Sequence, residues 1–359
     1  MPPFSPLPSL AVAALLALVT SAALLLAGRG APQLAAHVAF ALGVLPLILA
    51  AMAYFVPVLT RSGTPGRASW LPPILAWVGG ALAVFAFATN FSPTVLGLAA
   101  SLGALAALAL GGWTIDRARR MFGPRHRGLD WYLAALGFLL AALLAVVLMS
   151  LYPAQRNALR LFHLHANLLG FVGLTALGTL QVLLPTCVGQ VDPGAAGRLR
   201  RDLKWAAAGA LLVSTGSAAP LPPSLRWAGP LAALAGTVLY GWVVANMLRA
   251  WKTRFGRALI QIHGAAPSLT AAGLGLLGML ALGLTHGFGG LPARPSVAGF
   301  VIAFLLPLVI GAASHLLPVW LRPGVQDQWH RGLRARLVRW GGLRGLLLLL
   351  LGLAIAVTY

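Results

Sequence analysis

Eight histidines are the side chains of this sequence best suited to chemistry, and six of them fall inside or at the ends of long apolar segments. Neutral imidazole ligates haem iron or copper, and ionisable groups inside a bilayer are costly enough to be functional by default. Sorted by depth along those segments, His37, His163, His165 and His286 lie toward one face, while His263 and His315 lie toward the other. His126 and His330 fall in basic loops and are expected to be solvated. The other chemical resources are few. There is no glutamate, and Asp116, Asp130, Asp192, Asp202 and Asp327 all fall in loops or at segment ends. No buried carboxylate is therefore expected, which argues against a proton pump or cation-coupled carrier. The single cysteine, Cys187, excludes disulfides and CxxC metal sites.

The elements that must position these histidines are membrane helices. Of the 359 residues, 59% are hydrophobic and 9% charged, with a mean hydropathy of +0.88, whereas a soluble domain carries about 25% charged residues. Repeated apolar runs of about 20 residues, enough to cross a bilayer core, give an all-α polytopic bundle of about eleven transmembrane helices. The expected spans are 8–28, 34–59, 70–91, 93–113, 129–151, 160–185, 205–220, 227–248, 264–284, 297–321 and 339–357. The last is expected to be the weakest, since Arg344 lies within it and must snorkel.

The formal charge of +21 reflects topology rather than nucleic acid, because the arginines sit in short loops. All 26 basic residues except Arg29, Arg156, Arg160, Arg226 and Arg294 follow even-numbered spans. The positive-inside rule then implies a multi-pass protein of a bacterial inner membrane, with its amino terminus cytoplasmic and its carboxyl terminus periplasmic.

Spans two, six and ten repeat. They end in AYFVPVLTRSG (53–63), LQVLLPTCVGQ (180–190) and SHLLPVWLRPG (314–324), each an apolar helix running into a proline: Pro57, Pro185 and Pro318. Counting back twenty residues gives His37, His165 and, in the third, Ala298. Twenty helical residues rise about 30 Å, so His37 and His165 are expected near the outer face at equal depth. The chain reads as one membrane domain built of repeats at roughly 1–127, 128–258 and 259–359, that is, pseudo-threefold arcs of four helices.

A haem needs one or two imidazoles, a flat apolar slot and, often, cationic partners for its propionates. His37 and His165, one on each of two helices at one depth, suit axial ligation of haem b. Gly43, Gly170 and Gly173 would admit a large planar ring, and Arg29, Arg156 and Arg160 lie on the side where propionates would emerge. In FHLHANLLG (162–170) the two histidines point about 200° apart on a helix, so His163 is expected to face away from His165. An outer cluster of His37, His163, His165 and His286 around copper is an alternative. So is a second site near the inner face from His263 and His315. A third reading makes the histidines purely structural, hydrogen-bonding neighbouring helices in an assembly protein. Lipid is the implied surrounding, and a membrane or periplasmic redox partner accompanies the haem reading.

Span two, HVAFALGVLPLILAAMAYFVPVLTRS (37–62), resembles the second helix of haem–copper oxidase subunit I, and HLHANLLGFVGLTALGTLQVLLPT (163–186) resembles NnrS-like bacterial membrane proteins. The resemblance implies the threefold four-helix plan, haem b on His37, and roles in electron transfer or in haem, copper or nitric oxide handling. Span seven has no histidine pair and span six no HPEVY-like element, and no glutamate is available for a non-haem iron. What the resemblance implies is therefore a haem or copper protein without the oxygen-reducing binuclear centre.

Overall fold

The computed structural model describes residues 6–28, 31–89, 92–218, 224, 226–287 and 293–358. The chain is all-α. Among the described residues, ten helical stretches are long and apolar enough to cross a membrane. They are α1 (Leu7–Leu26), α2 (Pro32–Leu59), α3 (Arg67–Ala88), α4 (Pro93–Arg119), α5 (Gly128–Leu151), α6 (Pro153–Val188), α8 (Ala228–Leu259), α9 (Ala265–Gly287), α10 (Pro295–Leu321) and a final stretch, Gln328–Thr358. That final stretch is two helices, a short α11 (Gln328–Leu337) and a spanning α12 (Gly341–Thr358).

The expected seventh span corresponds to α7 (Ala195–Gly216), and this is the one that falls short. Its first turns carry Arg198, Arg200, Arg201, Asp202 and Lys204, which leave too few apolar residues to meet the length of a span. The weakest span is therefore the seventh and not the last. In α12 the Arg344 guanidinium reaches past the start of the helix to donate to the Leu337 carbonyl at 2.8 Å, the direction expected for a snorkelling side chain.

The helices start and stop where the sequence allows. Proline occupies the first turn of α1, α2 and α4, where its missing N–H costs nothing. Ser92 caps α4 by accepting from the Val95 N–H at 3.4 Å. Burial then ranks the spans. The apolar windows of α2, α6 and α10 are 61%, 83% and 72% buried, against 28–50% for the other spans. The three helices joined by the sequence repeat are thus the most buried among the described spans.

The same three helices share a second property. Each contains a π-helical segment near its start: Val38–Val44 in α2, Ala166–Gly173 in α6 and Phe300–Leu305 in α10. Such wide turns are rare and concentrate at functional sites. Two have a covalent cause. Pro46 and Pro307 stand two residues beyond their ends, and a proline cannot donate to the carbonyl four residues back, which lies inside the segment, so the helix opens. Leu174 stands at the matching place in α6, and there the opened turn is held by a neighbour, because the Tyr240 hydroxyl donates to the Leu169 carbonyl at 2.9 Å. Helices α2 and α6 also end alike. The Ser62 and Gln190 N–H groups reach the Pro57 and Pro185 carbonyls at 3.0 and 3.1 Å. The Arg61 and Gly189 N–H groups bond Val58 and Thr186, with Arg61 and Gly189 in the left-handed region. This is the Schellman arrangement, placed at the same register in both helices.

The described chain divides into two compact units, 1–39, 180–195 and 244–359, and 40–179 and 196–243, with borders inside α2, α6 and α8. In the first, Ala303 of the α10 π segment is approached by Gly275 of α9 and Gly352 of α12, where an added Cβ would strike its backbone. Ser268 of α9 donates to the Pro307 carbonyl at 2.9 Å. In the second, Gly80 of α3 lies against the Ala41 carbonyl of the α2 π segment, again with no room for a Cβ. Small residues at such crossings let helices pack where no hydrophobic drive joins them.

Candidate functional site

His37 is the residue before the α2 π segment, and His165 is the residue before the α6 π segment. Both rings are half-buried and held in the same way. His37 Nδ1 lies 2.7 Å from the Gln33 carbonyl, and His165 Nδ1 lies 2.9 Å from the Leu161 carbonyl, each one turn earlier in its helix. A carbonyl only accepts, so Nδ1 carries the proton and the neutral ring keeps its lone pair on Nε2. Ser217, the residue after α7, strengthens that assignment for His165. Its hydroxyl donates to the Val213 carbonyl at 2.7 Å, so its oxygen accepts from His165 Nδ1, 3.0 Å away. A backbone anchor on one ring nitrogen is the usual support of a histidine that ligates metal through the other.

His163 faces elsewhere. Its Nδ1 lies 2.9 Å from the Ala142 carbonyl of α5, and Asn167 donates to the His163 carbonyl at 2.8 Å. His163 therefore ties α6 to α5, while His165 is turned toward α7. His286 is the penultimate residue of α9 and half-buried. Among the described residues no group of three or more His, Cys, Asp or Glu side chains is gathered to hold a metal ion. The copper cluster thus lacks an assembled ligand set.

Two of the three glycines read as room for a planar ring, Gly170 and Gly173, are used differently. The space beside Gly170 is taken by the Phe138 ring, and that beside Gly173 by the Tyr240 hydroxyl. Of the expected propionate partners, Arg160 is exposed and donates to Asn157 Oδ1 at 3.1 Å. Arg156 is exposed in the first turn of the same segment, and Arg29 lies outside the described residues.

On the other face, His263 is exposed. Its Nδ1 accepts the Trp340 N–H at 2.9 Å and its ring meets the Trp340 ring edge-on at 4.8 Å. That bond pins the left-handed Trp340 (φ 60°) between α11 and α12. His315 lies three residues before Pro318 in α10, and its carbonyl accepts from Arg334 Nε at 3.3 Å. The two loop histidines are not simply solvated. His126 accepts the Gly128 N–H at 3.0 Å, and burial and the nearby Arg61 charge lower its pKa. His330 is only 3% exposed and closes a reciprocal cap with Asp327 at the start of α11. Its Nε2 donates to the Arg322 carbonyl at 2.8 Å. Spacing hid this because the partners, the Asp327 side chain and backbone groups of Asp327 and Arg322, are brought together only by the turn before α11.

One group was missed. Asp202 has no exposed surface; its Oδ1 pairs with Arg201 Nε at 2.7 Å and its Oδ2 has no hydrogen-bond partner among the described residues. A buried carboxylate is therefore present, contrary to expectation, and the argument against a carboxylate-coupled carrier falls. The signal was the periodicity of α7. Asp202 falls on the buried face with Leu199, Ala206, Gly209, Ala210 and Val213.

No protein-family model, curated protein or solved structure matches this chain.

Proposed function

We propose that this multi-span membrane protein binds haem b, with His37 and His165 as iron ligands through Nε2, and serves electron transfer or the handling of haem or nitric oxide. The observation that carries the reading is the residue-for-residue match of α2 and α6. A histidine anchored through Nδ1 to its own helix, a π segment beginning at the next residue, a proline twenty residues on and a Schellman end recur at one constant offset. A lone structural histidine has no need of such a match. The π segment in α10 and the burial of α2, α6 and α10 support a pseudo-threefold plan of four-helix arcs, and with it a distant relationship to haem–copper oxidase subunit I and NnrS-like proteins. The donor set fits: Nδ1 donation raises imidazole basicity and fixes the ring, which is what an axial ligand requires.

When bound, the haem supplies one-electron redox chemistry. The chain's own part is to hold both imidazoles in one tautomer, with Ser217 stabilising that of His165. The distribution of arginines supports placing the histidine ends of α2 and α6 at the periplasmic side of a bacterial inner membrane. The test is a reduced-minus-oxidised spectrum of protein purified from haem-replete cells, repeated for His37→Ala and His165→Ala. The expected result is a Soret band in the parent protein that is lost or shifted in both variants. A parent protein without a Soret band overturns the proposal.

A further inference from the structure

Helix α11 is ten residues long and lies between the end of α10 at Leu321 and the start of α12 at Gly341. Both neighbours are spanning segments, and α11 carries His330, Arg331, Arg334 and Arg336, so it belongs at the bilayer surface. On one face, Gln328, Trp329, Gly332, Leu333 and Arg336 line an open cleft of about 440 Å³. This is within the ~300–1,000 Å³ range of small-molecule sites. Trp329 and the helix start are held in place from outside the cleft. The Arg322 guanidinium lies 4.2 Å above the Trp329 ring, and His330, buried beneath, ties the helix start to the Arg322 carbonyl. Gly332 opens the middle of the cleft, with nothing within 4 Å of the Cβ it lacks.

The lining dictates the occupant. Trp329 and Leu333 give an apolar floor, and Arg336 and Gln328 give hydrogen-bond donors at the rim. No acidic side chain lines it, and the neighbouring Asp327 is engaged with His330. A ligand must therefore join negative charge to apolar surface and must be present at the membrane boundary. We infer that this cleft binds an anionic phospholipid, its phosphate on Arg336 and its glycerol and upper acyl chain against Trp329 and Leu333. Arg331 and Arg339 are exposed nearby and add to the attraction.

The experiment titrates phosphatidylglycerol into the full chain in a neutral detergent at low salt and counts bound lipid by native mass spectrometry, with phosphatidylcholine as the uncharged comparison. Arg336→Gln is expected to weaken phosphatidylglycerol binding about 5-fold, the effect of one basic residue at a membrane surface. Gly332→Val keeps the charge, fills the cleft and is expected to weaken binding at least as much. Arg249→Gln, an equal loss of charge at an exposed position in α8, is expected to leave it unchanged. Equal effects of Arg336→Gln and Arg249→Gln would reduce the site to diffuse charge and overturn the inference. So would phosphatidylcholine binding as tightly, displacement by an equal concentration of inorganic phosphate, or a Gly332→Val variant that loses a second copy of the chain instead of lipid.

Discussion

The opened turn of α6 makes a quantitative prediction, because it depends on one hydroxyl. Tyr240 is fully buried and its hydroxyl donates to the Leu169 carbonyl at 2.9 Å. Gly173 leaves the space that hydroxyl occupies, so a Cβ at 173 would displace it. Tyr240→Phe removes the donor and leaves a buried carbonyl without that partner. Hydrogen bonds between membrane helices average about 0.6 kcal/mol and reach about 1.7, so Tyr240→Phe should cost within that range. Gly173→Ala in the parent protein forces the hydroxyl aside and should cost about 1–3 kcal/mol as an overpacking substitution. In the Tyr240→Phe background the hydroxyl is gone, and the new Cβ meets the Leu168 carbonyl oxygen at 3.1 Å and the ring at 3.3 Å, contacts that a shift of a few tenths of an ångström relieves. There Gly173→Ala should cost much less than in the parent protein, since alanine favours a helix by up to about 1 kcal/mol over glycine and offsets that shift. The two substitutions must therefore couple by about 1 kcal/mol or more. Equilibrium unfolding in mixed micelles of the parent, both single variants and the double variant measures the coupling. Additive costs would refute the claim that Tyr240 holds the π turn open.

Other perturbations test other joints. His263→Ala removes the acceptor for the Trp340 N–H and should cost about 0.5–1.5 kcal/mol by the same unfolding assay, as loss of one hydrogen bond does. Trp131→Phe removes the 2.9 Å bond from its indole N–H to the Leu199 carbonyl and should destabilise by about 0.5–1.5 kcal/mol, as loss of one hydrogen bond does, because that carbonyl keeps its place in the α7 helix. The bonds from His330 hold the Asp327 carboxyl below its ordinary pKa. A carboxylate with a depressed folded-state pKa stabilises above its ordinary value of about 3.9, and that contribution fades as pH falls below it. The melting temperatures of the parent protein and Asp327→Asn should therefore differ at pH 6 and converge below pH 4; a constant gap would contradict the cap.

The spans were legible in the sequence because hydropathy and length are properties of consecutive residues, and the bilayer imposes both. The His37–Pro57 and His165–Pro185 intervals were legible for the same reason, and the structure added matched π segments and matched ends. Pro46 and Pro307 stand at equivalent places and were visible, but their effect depends on which carbonyl lies four residues back in a helix already formed. Helix α7 was read as a span because its apolar half resembles one, whereas its charged half is equally helical and buries Asp202. The glycines at 170 and 173 were read as room for a ligand. Their neighbours, Phe138 and Tyr240, lie on other helices, and local spacing carries no information about what fills a gap from across a bundle. His330 was read as solvated for a similar reason: its partners are the Asp327 side chain and a backbone carbonyl, brought together only by the turn before α11.

The central claim is that His37 and His165 are equivalent iron ligands. Its most direct test is the electron paramagnetic resonance spectrum of the oxidised, purified protein beside those of His37→Ala and His165→Ala, with haem content measured on the same samples. The account predicts a ferric haem signal in the parent protein that changes in both variants while helical content is retained. Haem-free parent protein, or a haem signal indifferent to both substitutions, would contradict it.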